Sequence, residues 1–336
     1  MKKVLFSVIA IFSALFATAQ STDEVSAVLQ HGDEVSVYKG RTALQLAHAA
    51  ATDGDVITLS QGTFQSVNIE KTLTILGAGF ENSNEAKTAV TAIDGNFCVG
   101  KTGVVIEGFL MEGVKVVSNI SFKQLKDSKI QRCSVMGNMD FTENIENVTV
   151  KQCYFAQNLS GRTNIVANGL LIANCYVTGC INYFSTESFV NVDHSFMGSQ
   201  YYTGADSDNL YAQFLWTNSI TCHSTGWNMP TGHYSTVKNC IVVNGGRTIS
   251  SNNIVENCYY VDLDKIFADG ENAAYSETRT FQLQDAATYV GTDGTPIGPS
   301  GGAGWNKVPS KPYVSNLNAT VNGTNLNVTY ESGVNK

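Results

Sequence analysis

A two-residue step recurs along this chain from about residue 108 to 258: Gly108-Phe109, Arg132-Cys133, Gln152-Cys153, Asn174-Cys175, His194-Ser195, Asn218-Ser219, Asn239-Cys240 and Asn257-Cys258. The second members succeed one another at intervals of 24, 20, 22, 20, 24, 21 and 18 residues. Each step shares one local frame, read in IQRCSV, VKQCYF, IANCYV, VDHSFM, VKNCIV and VENCYY. An apolar residue stands two before the turn residue, and a small or apolar residue, a spacer and a further apolar residue come after it. A fixed period near 20 residues with β-type alternation marks a solenoid, whose units bury their apolar faces only by stacking on one another.

The frame also dictates a corner. In Val237-Lys238-Asn239-Cys240-Ile241-Val242, unbroken alternation would send Val237 and Cys240 to opposite faces. A one-residue bend at Asn239 instead points Val237, Cys240 and Val242 inward and Lys238 and Ile241 outward. Asparagine suits such a bend because it enters the left-handed region at low cost, as glycine does. The expected corner ladder is therefore Asn174, His194, Asn218, Asn239 and Asn257, with Gly108 before it and Arg132 and Gln152 as less comfortable variants. Strands meeting at such corners every coil form an all-β fold, a right-handed parallel β-helix. Coils stack about 4.8 Å apart, so eight steps make a rod of roughly 40 Å.

Repeats, corner asparagines and coil length together resemble the pectate-lyase-like right-handed parallel β-helix superfamily over roughly residues 41–290. The stretch before the first coil is similar to that superfamily's N-terminal cap. It has a short helix over Thr42–Thr52 with Thr42 as its N-cap, then Val56-Ile57-Thr58-Leu59 and Gly62-Thr63-Phe64. Such a helix covers the open end of the apolar bore. What the resemblance implies for chemistry is broad, because the fold hosts lyases, hydrolases, epimerases, adhesins and inert spikes.

Met1–Ala19 reads as a secretory signal peptide, with Lys2 and Lys3, an apolar run Val4–Ala17 and Ala17-Thr18-Ala19 before Gln20. The mature protein is thus expected to be secreted: periplasmic, on the cell surface or extracellular. No later run is long enough to span a membrane. Removing the signal takes the formal charge from −8 to −10, which argues against nucleic acid as a partner. Five of the eight cysteines (Cys133, Cys153, Cys175, Cys240, Cys258) share the inward slot, where a free thiol serves as a small hydrophobe. Parallel in-register neighbours converge poorly for a disulfide; Cys98, Cys180 and Cys222 lie off this slot.

Residues 20–290 are read as the capped β-helix and 291–336 as a Gly/Pro-rich linker plus a strand pair. The linker, GTDGTPIGPSGGAGWNKVPSKP, holds four of the five prolines. Tyr313–Val321 and Leu326–Tyr330, joined by Asn322-Gly323-Thr324, predict a β-hairpin tail. Lys265–Tyr289 reads as irregular or partly helical and is expected to close the C-terminal end of the rod.

Two features invite ligand chemistry. The outward position after the Cys slot reads Ser134, Tyr154, Tyr176, Phe196, Ile220, Ile241 and Tyr259, an apolar stripe that a soluble monomer must cover or use. Stacked tyrosines could hold sugar rings, or the tail or a loop could cover them. Loops at 200–215 and 224–236 concentrate Tyr201, Tyr202, Asp206, Asp208, Tyr211, Trp227, His233 and Tyr234, near Trp216 and His223. Flat aromatic faces and carboxylates on loops over a rigid scaffold suit carbohydrate recognition. Asp206-Ser207-Asp208-Asn209 offers hard oxygens for Ca²⁺ but lacks the rest of a loop signature, so no metal or other cofactor is assigned.

Catalysis leaves a weaker trace. No coil shows the aspartate cluster of a polygalacturonase-type hydrolase. Asp193-His194, Lys238, Arg162 and Arg247 supply only separate pieces of a lyase. The reading is a monomeric secreted β-helix that binds a polysaccharide or cell-surface glycan without catalysis. The alternatives are a polysaccharide lyase or glycoside hydrolase acting on a pectin-like or other acidic polysaccharide, and a structural, adhesin-like spacer.

Overall fold

A computed structural model describes residues 25–81, 89–111, 120–122, 125–198, 212–221, 235–243, 253–269, 275–310, 312–322 and 325–334. It is a parallel β-solenoid of about seven turns. Three sheets build it: sheet A ends on strands Glu34–Lys39 and Ile254–Glu256, sheet B on Gly62–Gln65 and Tyr259–Val261, and the shorter sheet C, among the described residues, on Asn68–Ile69 and Ile181–Phe184. Among the described residues no helix is long and apolar enough to cross a membrane.

The corner from sheet A to sheet B bends at one residue in each coil. Gly108 has φ 80°, and Arg132 (51°), Gln152 (54°), Asn174 (50°), His194 (43°), Asn218 (50°), Asn239 (52°) and Asn257 (50°) all occupy the left-handed region. The side chains sort as the frame requires: Val237, Cys240 and Val242 are wholly buried inside, and Lys238 faces out. Pairing is in register, with Val237 beside Trp216 and Val255 in sheet A and Ile241 beside Ile220 and Tyr259 in sheet B. Burying each inward isoleucine, such as Ile75, Ile106 or Ile130, contributes roughly 1.5–3 kcal/mol, and the bore is one continuous core.

The inward cysteines are free thiols. Each donates to the carbonyl two residues earlier, Cys153 to Lys151 O at 3.2 Å and Cys240 to Lys238 O at 3.3 Å. Ser195 and Ser219 do the same, to Asp193 O (2.9 Å) and Thr217 O (2.8 Å), so hydroxyl and thiol are interchangeable in this slot. Burial pushes the Cys133, Cys153 and Cys240 thiols well above their ordinary pKa.

At the N-terminal end, Ser26–His31 and Glu34–Lys39 form an antiparallel hairpin on Val56–Leu59. Helix α1 (Ala43–Ala50) lies over the bore and buries Ala43, Leu44 and Ala47. Thr42 precedes it but makes no side-chain cap hydrogen bond; its backbone, at φ −89° and ψ 2°, is not in the extended conformation that aims an N-cap oxygen at the first turn. At the end of the chain, Pro312–Asn322 and Asn325–Val334 pair antiparallel with each other.

Candidate functional site

The path of the chain beyond its last coil decides which sides of the rod can meet a ligand. The chain turns at Leu263–Lys265 and runs back over sheet B. Phe267, Phe281, Leu283 and Ile297 are buried there against Tyr176, Phe196, Ile220 and Ile241, the outward stripe. Tyr275 stacks on Tyr154 at 3.9 Å, and Phe281 packs against Tyr176 at 5.1 Å and Trp305 at 5.1 Å. Arg279 lies 4.7 Å over the Phe267 ring. The described residues of 265–289 therefore cover the stripe.

Residues 291–310, Gly/Pro-rich as a linker would be, lie as a strap along the corner ladder and visit its rungs in reverse order. Asn218 Oδ1 accepts from Thr292 N at 2.8 Å, and Gly298 N donates to Asn218 O at 2.7 Å. Asn174 Nδ2 donates to Gly301 O (2.7 Å) and Pro299 O (3.1 Å), and Gln152 Nε2 to Gly304 O (2.8 Å). Arg132 and Ser310 converge on the buried Glu107, whose Oε1 accepts from Arg132 at 2.5 Å and from Ser310 Oγ at 2.9 Å. Beyond them Lys307 pairs with Glu81. Burial pushes the Glu81 carboxyl up, and the Lys307 contact only partly offsets it.

The glycines are needed for closeness. A Cβ on Gly301 would come within 2.6 Å of the His194 ring, and one on Gly291 within 2.8 Å of Asn218 Oδ1.

His194, read as a corner substitute, also anchors the strap. Its Nδ1 donates to Asp193 Oδ2 at 3.0 Å, and its Nε2 lies 3.1 Å from Thr295 Oγ1 and 3.5 Å from Asp293 Oδ2. Burial works to raise the Asp193 carboxyl, but hydrogen bonds from His194, Thr217 and Asn218 outweigh it and leave it below the ordinary value. Asp293 is lowered in the same way, burial being outweighed by hydrogen bonds from Thr295 and the charge of His194. Nε2 thus holds the strap while Nδ1 is held by Asp193 of the same coil, so both ring nitrogens are engaged within the protein.

The open side is where sheet C turns into sheet A. A depression of about 420 Å³ crosses successive coils there, lined by Thr102, Leu125, Lys126, Asn144, Ile145, Glu146, Val166 and Asn168. Leu125 and Ile145 are buried and form an apolar floor. The rim is polar: Lys126 Nζ lies 3.0 Å from Glu146, and Asn168 is exposed beside it in register. The hydrogen bond to Glu146, then its charge, holds the Lys126 amine above its ordinary pKa.

A second left-handed series shapes this edge, Asp127 (φ 54°), Asn147 (52°) and Gly169 (74°), with Asn147 Nδ2 donating to Asp127 Oδ1 at 3.1 Å. Its spacing of 20 and 22 residues matches the main ladder and is the one signal of this site that the sequence carries. Next to the groove, the outward row of sheet C places Asp140, Ser160 and Asn182 side by side, all buried. Asn182 Oδ1 has no hydrogen-bond partner there.

The chain matches no known family model, no characterised protein and no solved structure. Its chemistry must be argued from its own residues.

Tyr201, Tyr202, Asp206, Asp208, Tyr211, Trp227, His233 and Tyr234 lie outside the described residues, as do His223 and Arg247. The flanks of their loops are described. One loop leaves sheet B after Phe196–Met197 and enters sheet A at Gln213–Thr217; the other leaves after Ile220–Thr221 and enters at Thr236–Lys238. Trp216, expected near these loops, is wholly buried in the inward slot and stacks on Phe214 at 5.4 Å. Lys238 pairs with Glu256 at 3.1 Å on the face of sheet A. Among the described residues no group of three His, Cys, Asp or Glu side chains could hold a metal ion.

Proposed function

We propose that this protein is a secreted polysaccharide-binding β-solenoid of the right-handed, pectate-lyase-like type that holds a glycan without cleaving it. Its ligand lies along the side where sheet C turns into sheet A. One observation carries the reading: the apolar stripe and the corner ladder are occupied by the chain's own C-terminal segment, while the opposite edge keeps an open groove. That groove has an apolar floor and a rim of amides, a hydroxyl and one ion pair, which suits sugar C–H surfaces and hydroxyls. Met1–Ala19 supports secretion.

A lyase reading is less well supported. A base for proton abstraction must be free to take a proton at the working pH, and Lys126, the basic residue of the groove, is engaged by the Glu146 carboxylate at 3.0 Å.

The test is retention of residues 20–336 on a panel of immobilised acidic and neutral polysaccharides, with chain lengths scored afterwards. Retention with intact chains is expected, lost in Lys126→Ala/Asn168→Ala and weakened in Trp227→Ala or Tyr201→Ala. Equal retention of all variants, or no retention on any glycan, overturns the reading. Shortened chains with unsaturated ends would establish a lyase instead.

A further inference from the structure

Seven large apolar side chains are exposed among the described residues, and six of them cluster at the two ends of the rod. Val35 and Val37 lie on Glu34–Lys39, the terminal strand of sheet A at the N-terminal end, and Leu46 lies on helix α1 beside it. At the other end Ile254 (59% exposed) and Val255 (39%) lie on Ile254–Glu256, and Tyr260 (46%) on Tyr259–Val261. Val255, Cys258 and Tyr260 continue inward columns that are wholly buried one coil earlier at Val237, Cys240 and Val242. The bore therefore opens at this end, with no strand added to either sheet beyond it among the described residues.

The two free edges match. Glu34–Lys39 is antiparallel to Ser26–His31, which is antiparallel to Val56–Leu59. The N-terminal edge strand thus runs in the same sense as Val56–Leu59 and the later strands of sheet A, Ile254–Glu256 included. Faces match as well. Val37 and Lys39 share the outward face and Tyr38 packs on the core; Ile254 and Glu256 face outward and Val255 inward. Since a one-residue slip reverses every side chain, few registers satisfy both strands. One sets Ile254 beside Val37, Val255 beside Tyr38, and the Glu256 carboxylate beside the Lys39 ammonium. It pairs apolar with apolar outside, apolar with apolar inside, and opposite charges at the end.

We propose that copies of this chain stack head to tail, the strand Ile254–Glu256 of one pairing in parallel with Glu34–Lys39 of the next, so that sheet A continues across the junction. The occupant of the open end is a second copy, in place of the monomer that the sequence suggests. Helix α1, with Leu46 outermost, then faces the mouth formed by Val255, Cys258 and Tyr260. Such a contact joins two different patches, so it does not close on itself and builds open linear arrays. Stacking would also align the groove from copy to copy, as a long polysaccharide requires.

The test is sedimentation velocity of the mature chain over a wide concentration range. Wild type is expected to form a concentration-dependent ladder of species, and Val255→Lys, which sets a charge at the mouth of the bore, to remain monomeric. Glu256→Lys and Lys39→Glu each place like charges across the junction, and each alone assembles less than wild type. Mixed together they restore opposite charges at every junction and recover the array. Glu256→Lys also breaks the ion pair with Lys238 in its own coil, so circular dichroism checks that both variants fold, and recovery in the mixture isolates the junction. A monomer at all wild-type concentrations, or a closed dimer indifferent to these changes, overturns the proposal. So does a mixture no more assembled than its parts.

Discussion

Gly301→Ala distinguishes a packed strap from a free linker by the sign of its effect. In a flexible linker, Gly→Ala is neutral or stabilises by about 0.4–1 kcal/mol, because it restricts the unfolded chain. Here the added Cβ would press first on Pro296 O, in the strap's own folded turn, and would lie 2.6 Å from the His194 ring, which is itself fixed by Asp193 and Thr295. Forcing a methyl into so tight a contact costs about 1–3 kcal/mol. If the strap lifts instead, Asn174 Nδ2 loses its bonds to Gly301 O and Pro299 O, each contributing about 1 kcal/mol. Either route destabilises, by about 1–3 kcal/mol for the first and about 2 kcal/mol for the second. Gly294→Ala is the control: nothing lies within 4 Å, and only its φ of 81° opposes a side chain, at about 1 kcal/mol. Urea unfolding monitored by tryptophan fluorescence reads both, since Trp305 lies within the covered cluster. A Gly301→Ala protein as stable as wild type, or more so, would refute the packing of strap on ladder.

The same geometry sets three further outcomes. Asn239, at φ 52°, isolates the cost of the corner: Asn239→Gly should cost about 1 kcal/mol or less and Asn239→Val about 2 kcal/mol or more, measured by urea unfolding. The depressed carboxyls of Asp193 and Asp293 stabilise the strap fully above the ordinary value of 3.8 and lose that contribution as pH falls through their lower folded values. Protease cleavage within 291–305 should accordingly appear only on acidification below that range, with an acid-stable protease as probe. Cys258 is held down to about 7, chiefly by the hydrogen bond with the Cys240 thiol, burial opposing. Native alkylation should therefore modify it with a midpoint near neutral pH, while Cys133, Cys153 and Cys240 react only after unfolding.

The solenoid was legible because its cause is local. A one-residue corner leaves its mark on every coil, and the inward slots around Cys153 or Val237 alternate in the sequence as they do in space. The strap was not legible, although its composition was plain. Gly301 and Pro299 read as a linker because their reason, the approach to Asn174 and His194, spans more than a hundred residues of chain. The stripe Tyr154–Tyr176–Phe196 announced that something must lie on it, and the periodicity could not say which segment. The groove was missed for another reason: Asp127, Asn147 and Gly169 repeat at the ladder's own spacing, but polar residues at a strand end carry no apolar alternation. Residues 200–215 and 224–236 drew attention by their aromatics, whereas Trp216 beside them belongs to the core.

The most direct test of the account is hydrogen exchange of the backbone amides between 291 and 305. Thr292 N–H is held by Asn218 Oδ1, Gly298 N–H by Asn218 O, and Gly302 N–H by Thr295 Oγ1 at 2.6 Å. A strap zipped to the ladder predicts that these amides exchange as slowly as those of the coils beneath them. Exchange at the rate of an unstructured Gly/Pro segment would contradict it and would leave the ladder open to a ligand.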